Sequence, residues 1–332
     1  MAHEIATAAD GRAGIAYAGQ APWHGLGQRL TAGAPLEDWQ REAGLEWTAE
    51  RSAVQYVSDP AGTPVTKTSK QYDVLYRSDT GGVLSIVSPR YQIVQPKEII
   101  EFYRDLVESH GYELETAGML KDGKKVWALA NTRNVFELRG EDVVKGYLLL
   151  ATSYDGTLST QARFTSVRVV CNNTLSVATE GRSDVAIPHS TKFDASKVKL
   201  ELGIGDAWKD YTSKMSAMSE RIVSQNEAVQ FFMAAYHNLA TPQAIEDSQA
   251  DPKHAARLEK FMSERMTNAL FASPGANLAS AKGMLWGLVN AVTYDIDHVA
   301  PAHNQGNRLH SAWFGNGEAI KRRAWDLAVE ML

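Results

Sequence analysis

Two groups of side chains in this 332-residue chain have the types and spacing to do chemistry. The first is basic and aromatic: Lys67, Lys70, Tyr72, Arg77, Arg90, Tyr91, Lys124, Lys125, Arg163 and Arg168. Such cations neutralise phosphates, and such rings offer faces on which bases stack. Within this group Arg168 and Asn172 stand four residues apart. On a helix that spacing sets a guanidinium beside an amide, a pair able to hold a phosphate and a neighbouring polar group together. The second group is acidic and imidazole-bearing: Asp295, Asp297, His298, His303 and His310 are ligand types for a divalent metal. Their spacing matches no zinc signature and HEXXH is absent, so a structural or interaction role is expected ahead of metal binding, with no cofactor.

Other chemistries are poorly served. His24, in the motif PWHGLG (Pro22 to Gly27), has no nucleophile near it in sequence, and Ser52 and Cys171 lie in no nucleophile elbow or helix-start motif. Gly25, Gly27, Gly81 and Gly82 form neither a P-loop nor a dinucleotide fingerprint. Cys171 is the single cysteine, which excludes a disulfide framework and a cysteine-rich zinc site and favours a reducing cytoplasm. Its expected place is a buried thiol in the core.

The elements that must position these residues follow from punctuation and periodicity. A helix is expected over Pro35 to Ala43 and an extended stretch over Glu46 to Val57. Two β-rich runs flank Asp79-Thr80-Gly81-Gly82 and predict a hairpin. Pro96 opens a helix whose apolar residues Ile99, Ile100, Tyr103, Leu106 and Val107 recur at helical spacing until Gly111 ends it. Three strands are expected next, over Tyr112 to Leu120, Lys125 to Thr132 and Val143 to Tyr154; the continuously apolar Tyr147 to Ala151 predicts a strand covered on both faces. Leu158 to Thr179 contains no Gly or Pro and predicts a helix with Phe164, Val167, Cys171 and Leu175 on one stripe, although FTSVRVV also reads as a strand. From Trp208 onward the apolar spacing alternates between three and four, and Ser224 with Glu227 offers a capping box that restarts the helix. Further helices are expected over Pro252 to Phe271, Asn277 to Asp297 and Ile320 to Met331.

The expected fold class is therefore α+β: a central antiparallel sheet with a β-β-β-α core and a helical C-terminal region. Its segments are an N-terminal arm (1–60), a sheet-and-helix core (61–203) and the helical region (204–332). Composition sets limits on function. With 44% hydrophobic residues the chain can bury a core. No apolar run reaches the roughly 20 residues that span a bilayer, and the N-terminal residues lack the pattern of a secretion signal, so neither membrane insertion nor secretion is expected. Lys and Arg number 34 against 39 Asp and Glu, a net charge of -5, so a nucleic-acid surface would be a local patch.

Several segments resemble a known family. PWHGLG, SPRYQIVQPKEIIEFYRDL, TLSTQARFTSVRVVCNNTL (Thr157 to Leu175), VNAVTYDIDH and RLHSAWFGNGEAIKRRAWDLA are similar to the phage/plasmid-like family of domain-of-unknown-function proteins. That resemblance implies a setting, mobile genetic elements inside bacterial cells, and no activity. The element order, a helix, three strands and a helix bearing Arg163 and Arg168, more distantly resembles the core of single-strand annealing proteins of the Red-beta and RecT kind. It implies a homo-oligomeric ring or filament that holds single-stranded DNA by its backbone in a basic groove. The resulting expectation is a cytoplasmic, non-enzymatic single-stranded DNA binding and annealing protein of phage or plasmid recombination. Arg163, Arg168, Asn172, Lys124, Lys125 and Arg90 would contact the strand, Tyr91 would offer a stacking surface, and the Trp208 to Leu239 stripe would help build the oligomer. The alternatives are a metal-dependent enzyme acting on nucleic acid or nucleotides through Asp295, Asp297, His298 and His303, and a host-interaction or anti-defence protein.

Overall fold

The structure is a computed structural model that describes residues 6–19, 26–168, 170, 173–176, 184–202, 204–237, 251–302 and 305–332. The chain divides into two compact units that interleave in sequence. Unit 1 comprises Met1–Arg133, Leu148–Arg163 and Asp184–Leu202, and unit 2 comprises Asn134–Tyr147, Phe164–Ser183 and Gly203–Leu332. The segments 1–60, 61–203 and 204–332 do not coincide with these units. The class is α+β.

Unit 1 holds β1 (Ile15–Ala18), β2 (Gln28–Leu30), β3 (Ala49–Ser58), β4 (Val65–Arg77), β5 (Val83–Val87) and β6 (Glu113–Leu120). It also holds the first part of β7 (Lys125–Leu138), the last part of β8 (Asp142–Ser153), the first part of β9 (Thr160–Arg168), and β11 (Asp184–Ile187). Its main sheet runs β2-β1-β6-β7-β8-β9, with β11 also on β9. Most of its pairings for which the register is defined are antiparallel, while β1 and β2 run parallel, so the sheet is mixed. Residues 15–18 and 28–30, inside the expected arm, thus belong to this sheet. As the uninterrupted apolar run required, β8 is interior and Tyr147 to Ala151 are buried. The helices are α1 (Leu36–Glu42), α2 (Pro96–Glu101), α3 (Arg104–His110) and α4 (Ala195–Glu201). Gly111 closes α3 in the left-handed conformation that glycine adopts without penalty, φ 68°. The buried Tyr103 hydroxyl lies 2.8 Å from the Ala128 carbonyl and 2.9 Å from that of Leu148, tying the helical segment to β7 and β8.

A second sheet of unit 1, β3-β4-β5, is antiparallel. Its β3 and β4 outrun β5, which pairs only with residues 73–76 of β4. The remainder, from Gln55↔Thr68 to Ser58↔Val65, is a two-stranded ribbon whose residues are almost all exposed.

Unit 2 joins the remaining parts of β7, β8 and β9 and the short β10 (Asn173–Ser176) to a helical body. Its helices are α5 (Ile204–Glu220), α6 (Gln225–His237), α7 (Pro252–Lys260), α8 (Thr267–Ala272), α9 (Leu285–Tyr294), α10 (Gln305–Phe314) and α11 (Asn316–Glu330). A π-helical turn, Phe261–Met266, links α7 to α8, and a second, Asp295–Val299, extends α9. The core gathers Leu138, Val144, Phe164 and Leu175 from the strands with Tyr211, Met215, Met218, Phe232, Trp286 and Trp325 from the helices. Tyr211 and Met218, expected to face an oligomer partner, are therefore buried within the chain. Leu239 lies outside the described residues.

The expected β-β-β-α core is overturned at its final helix. Where Leu158 to Thr179 was expected as a helix, its described residues form β9 and β10, with Thr174 opposite Val167 and Leu175 opposite Ser166. The physical reason is coverage on both faces. Nearly every residue of β9 is buried, so the strand carries no polar alternation to set it apart from a buried helix, and its β-branched content decides. Arg168 therefore ends a strand, and Asn172, Cys171, His24 and His303 lie outside the described residues. Asn277 to Met284, expected as helix, is a series of turns before α9, and α10 had no counterpart in the sequence reading.

The restart at Ser224 is formed as the sequence suggested. The Ser224 amide donates to Glu227 Oε2 at 2.8 Å and the Glu227 amide donates to Ser224 Oγ at 3.3 Å, so the capping box opens α6. The Ser224 amide, then the Arg221 guanidinium and the Ser224 hydroxyl, hold the Glu227 carboxyl down at about 2, against an ordinary 4.5. Because the folded value is the lower one, the cap's contribution is complete above about 4.5 and is lost as pH falls toward about 2. Glu227→Gln should lower the urea midpoint at neutral pH, and its gap from wild type should narrow as pH drops through that window. A gap independent of pH would contradict the assignment.

Candidate nucleic-acid interface

The basic residues singled out from sequence fall into two classes, internal and exposed. Arg168, at the end of β9, is 2% exposed. Its Nε and Nη2 donate to the two oxygens of Asp142 at 2.7 Å each, and Nη2 also reaches the Gly275 carbonyl at 3.0 Å. Asp142, wholly buried, accepts further bonds from Ser280 Oγ (2.6 Å) and Trp286 Nε1 (3.1 Å). Gly275 is required here: its φ is 78°, and a Cβ would come within 3.1 Å of the Arg168 guanidinium and 2.5 Å of Val170. A guanidinium bound this way is a structural cation with little left to offer a phosphate.

Arg163 is also buried, with Nη2 3.0 Å from Gln161 Oε1. Lys125, at the start of β7, is 1% exposed. Its ammonium donates to Thr157 Oγ1 and lies 3.5 Å from Asp155 Oδ1. Burial lowers its pKa, and the Asp155 charge opposes that only in part. These three cations serve the interior. Lys124 is half-buried in the turn between β6 and β7, and Arg90 is exposed after β5. Tyr91 is half-buried: its ring stacks on His189 at 4.4 Å and its hydroxyl donates to the Ser153 carbonyl at 2.5 Å. Burial raises its pKa.

The acidic cluster is likewise engaged. Asp295, buried on its π-turn, accepts from Tyr236 Oη at 2.7 Å and from Arg265 Nη2 at 2.5 Å. Asp297 accepts from Lys321 Nζ at 2.7 Å and from the Thr174 amide at 2.7 Å. Each carboxylate has its own cation, which weakens both as metal ligands. His298 packs against Tyr294 at 5.1 Å between ring centres, and His310 against Phe314 at 6.1 Å. Among the described residues no three His, Cys, Asp or Glu side chains converge as a metal site would require.

Two exposed tyrosines, Tyr56 and Tyr72, lie on the ribbon and its bulge, each with an exposed lysine close by in the ladder or the sequence. Tyr56 and Lys67 are direct cross-strand partners, so their side chains leave the same face, with Ser58 and Val65 beside them. Tyr56 is 50% exposed and Lys67 is exposed. Just before this pair the register slips from Ala53↔Asp73 to Gln55↔Thr68, pushing Ser69, Lys70, Gln71 and Tyr72 out of the ladder. Ser69 Oγ accepts from the amides of Gln71 (3.1 Å) and Tyr72 (3.2 Å), which fixes the bulge and presents Lys70 and a half-exposed Tyr72. Tyr56 was missed in the sequence reading. Its partner segment TPVTKTSKQY is rich in strand formers but lacks apolar alternation, so periodicity assigns neither strand a face.

Residues 83–313 match the family described as Domain of unknown function (DUF932). That span covers more than half of the chain and begins at β5, so the ribbon precedes it. No curated protein and no solved structure matches the chain. Among the described residues no helix is long and apolar enough to cross a membrane.

The burial of Arg168 has a measurable consequence. Arg168→Met leaves Asp142 charged, buried and without its cation, and should cost about 3–5 kcal/mol in urea unfolding. A loss below about 1 kcal/mol, the range of an exposed ion pair, would mean that the pair does not hold unit 2 together.

Proposed function

The chain belongs to the DUF932 family, and from the ribbon that precedes the family's span we propose that it is a non-enzymatic single-stranded DNA binding and annealing protein. It acts as a homo-oligomer, in the cytoplasm, in phage or plasmid recombination; the resemblance of its segments to phage/plasmid-like proteins supports that setting. The observation that carries the reading is the Tyr56–Lys67 pair, one ring and one cation side by side on an exposed face. Lys70 and Tyr72 on the adjoining bulge repeat the combination. An exposed ring can stack on an unpaired base of any identity, while a neighbouring ammonium neutralises the phosphate that follows it. A duplex hides its base faces, so stacking favours single strands. With a net charge of -5, the attraction must come from local groups of cations such as this one. Arg90 and Lys124 remain available to extend the path, whereas Arg163, Arg168 and Lys125 support the fold instead of the strand.

The test is fluorescence anisotropy with single- and double-stranded oligonucleotides over a salt series. Wild type should prefer the single strand and weaken as salt rises. Tyr56→Ala should cost about 1–3 kcal/mol of binding, the usual worth of one stacked base. Lys67→Ala should reduce the slope of log affinity against log salt by about 0.7, one phosphate contact on a single strand. Unchanged affinity and slope in a folded Tyr56→Ala/Lys67→Ala variant would remove the ribbon from the site.

A further inference from the structure

The ribbon has an edge as well as faces. At its base the outer edge of β3 is sealed: the Ala49 amide donates to Gln95 Oε1 at 2.8 Å, and Gln95 Nε2 donates back to the Ala49 carbonyl at 3.1 Å. One side-chain amide thus takes the place of a neighbouring strand. Two residues further on, Arg51 folds over the sheet to Asp73 Oδ2 (2.9 Å) and the Tyr91 carbonyl (2.6 Å). Beyond Arg51 the protection stops. Among the described residues no strand pairs with the outer edge of β3.

Folded proteins blunt such edges with charge, proline or a bulge. Ala53–Ser58, AVQYVS, has no charge, no Pro and no Gly, and the extra residues of the register slip sit on β4, leaving β3 continuous. Val54, Tyr56 and Val57 are strong strand formers, and Val57 is 68% exposed. A strand with these properties offers its unpaired main-chain groups as a template for another strand. An uncharged segment can meet its own copy about a two-fold axis with no like charges opposed, and such a pairing closes on itself.

We propose that Ala53–Ser58 is a self-association surface at which the outer edge of β3 pairs antiparallel with the same segment of a second copy of this chain. The pairing names the interface of the oligomer in the reading above and rests on that reading only for there being an oligomer. It uses main-chain groups, so Tyr56 and Lys67 keep their face for nucleic acid. Gln55 and Val57 leave the opposite face, paired with Thr68 and Thr66.

Light scattering coupled to size exclusion on the full chain should give at least twice the 36.4 kDa of one copy at micromolar concentration. Gln55→Glu with Val57→Glu, at two exposed positions, should bring the mass down to a single copy. Mixing that variant with a Gln55→Lys/Val57→Lys chain should restore pairing. Single cysteines placed in turn at 53–58 in a Cys171→Ser background should form disulfides between copies most efficiently at one position, with the yield falling on either side. An oligonucleotide too short for two copies should still bind the Gln55→Lys/Val57→Lys chain, itself a single copy by like-charge repulsion and free of added negative charge, and should bind it less well on Tyr56→Ala, which separates loss of assembly from failure of the DNA reading. A wild type that stays a single copy, an oligomer whose mass survives the paired charges, or a cysteine series without cross-links would each overturn the proposal; the first would leave the edge to a strand of another protein.

Discussion

A carboxylate with no solvent exposure is tolerable only if its charge is matched and its lone pairs are filled, and Asp142 meets both conditions through four donors. Those donors come from separate parts of the sequence: Arg168 at the end of β9, Ser280 in the turns before α9, and Trp286 within α9. Gly275, whose carbonyl takes the remaining reach of Arg168, adds the turn after α8. One buried charge therefore sets where β8, β9 and the start of α9 meet inside unit 2. Oδ1 has Arg168 Nε as its donor while Oδ2 accepts from Arg168, Ser280 and Trp286, so loss of Arg168 removes the matching charge and leaves one oxygen unsatisfied.

The same economy recurs at other buried and partly buried cations. Arg265 is committed to Asp295 and stacks over Tyr236, Lys321 is committed to Asp297 and Thr174, and in unit 1 Lys125 is committed to Asp155 and Thr157. Arg77 lies against the Trp47 ring and pairs with Asp79. Positive charge that would read as a phosphate surface in the sequence is thereby used to neutralise internal carboxylates. Outside the core stands a ribbon, made almost wholly of exposed residues, whose conformation is held by its ladder and by the Ser69 bulge. An element that the fold does not need for stability is where exposed aromatic and basic side chains are most readily explained by a partner.

Much of the fold was legible because its signals were local. Pro96 and Gly111 delimit the α2–α3 segment, Gly81 and Gly82 the β4–β5 turn, and Ser224 with Glu227 the start of α6; each is a short-range matter of backbone freedom or capping. Tyr147 to Ala151 announced an interior strand because nothing polar interrupts it. The segment 158–179 was misread for the same reason: a strand buried on both faces and a buried helix share one composition, and only the neighbouring strands decide between them. The site was less legible still. Nothing near Arg168 in the sequence reveals Asp142, 26 residues earlier, or Gly275, 107 residues later. The position of Tyr56 opposite Lys67 depends on a register slip that no periodicity encodes.

The account turns on one distinction, that the cations of the sheet serve the interior and the ribbon meets the strand. Photo-crosslinking with a single-stranded oligonucleotide carrying halogenated uracil reads this directly, because the excited base joins to the aromatic ring stacked on it. Peptide mapping should find the adduct at Tyr56 or Tyr72. Adducts confined to Tyr91, or to residues 160–176, with the ribbon unmodified, would contradict it.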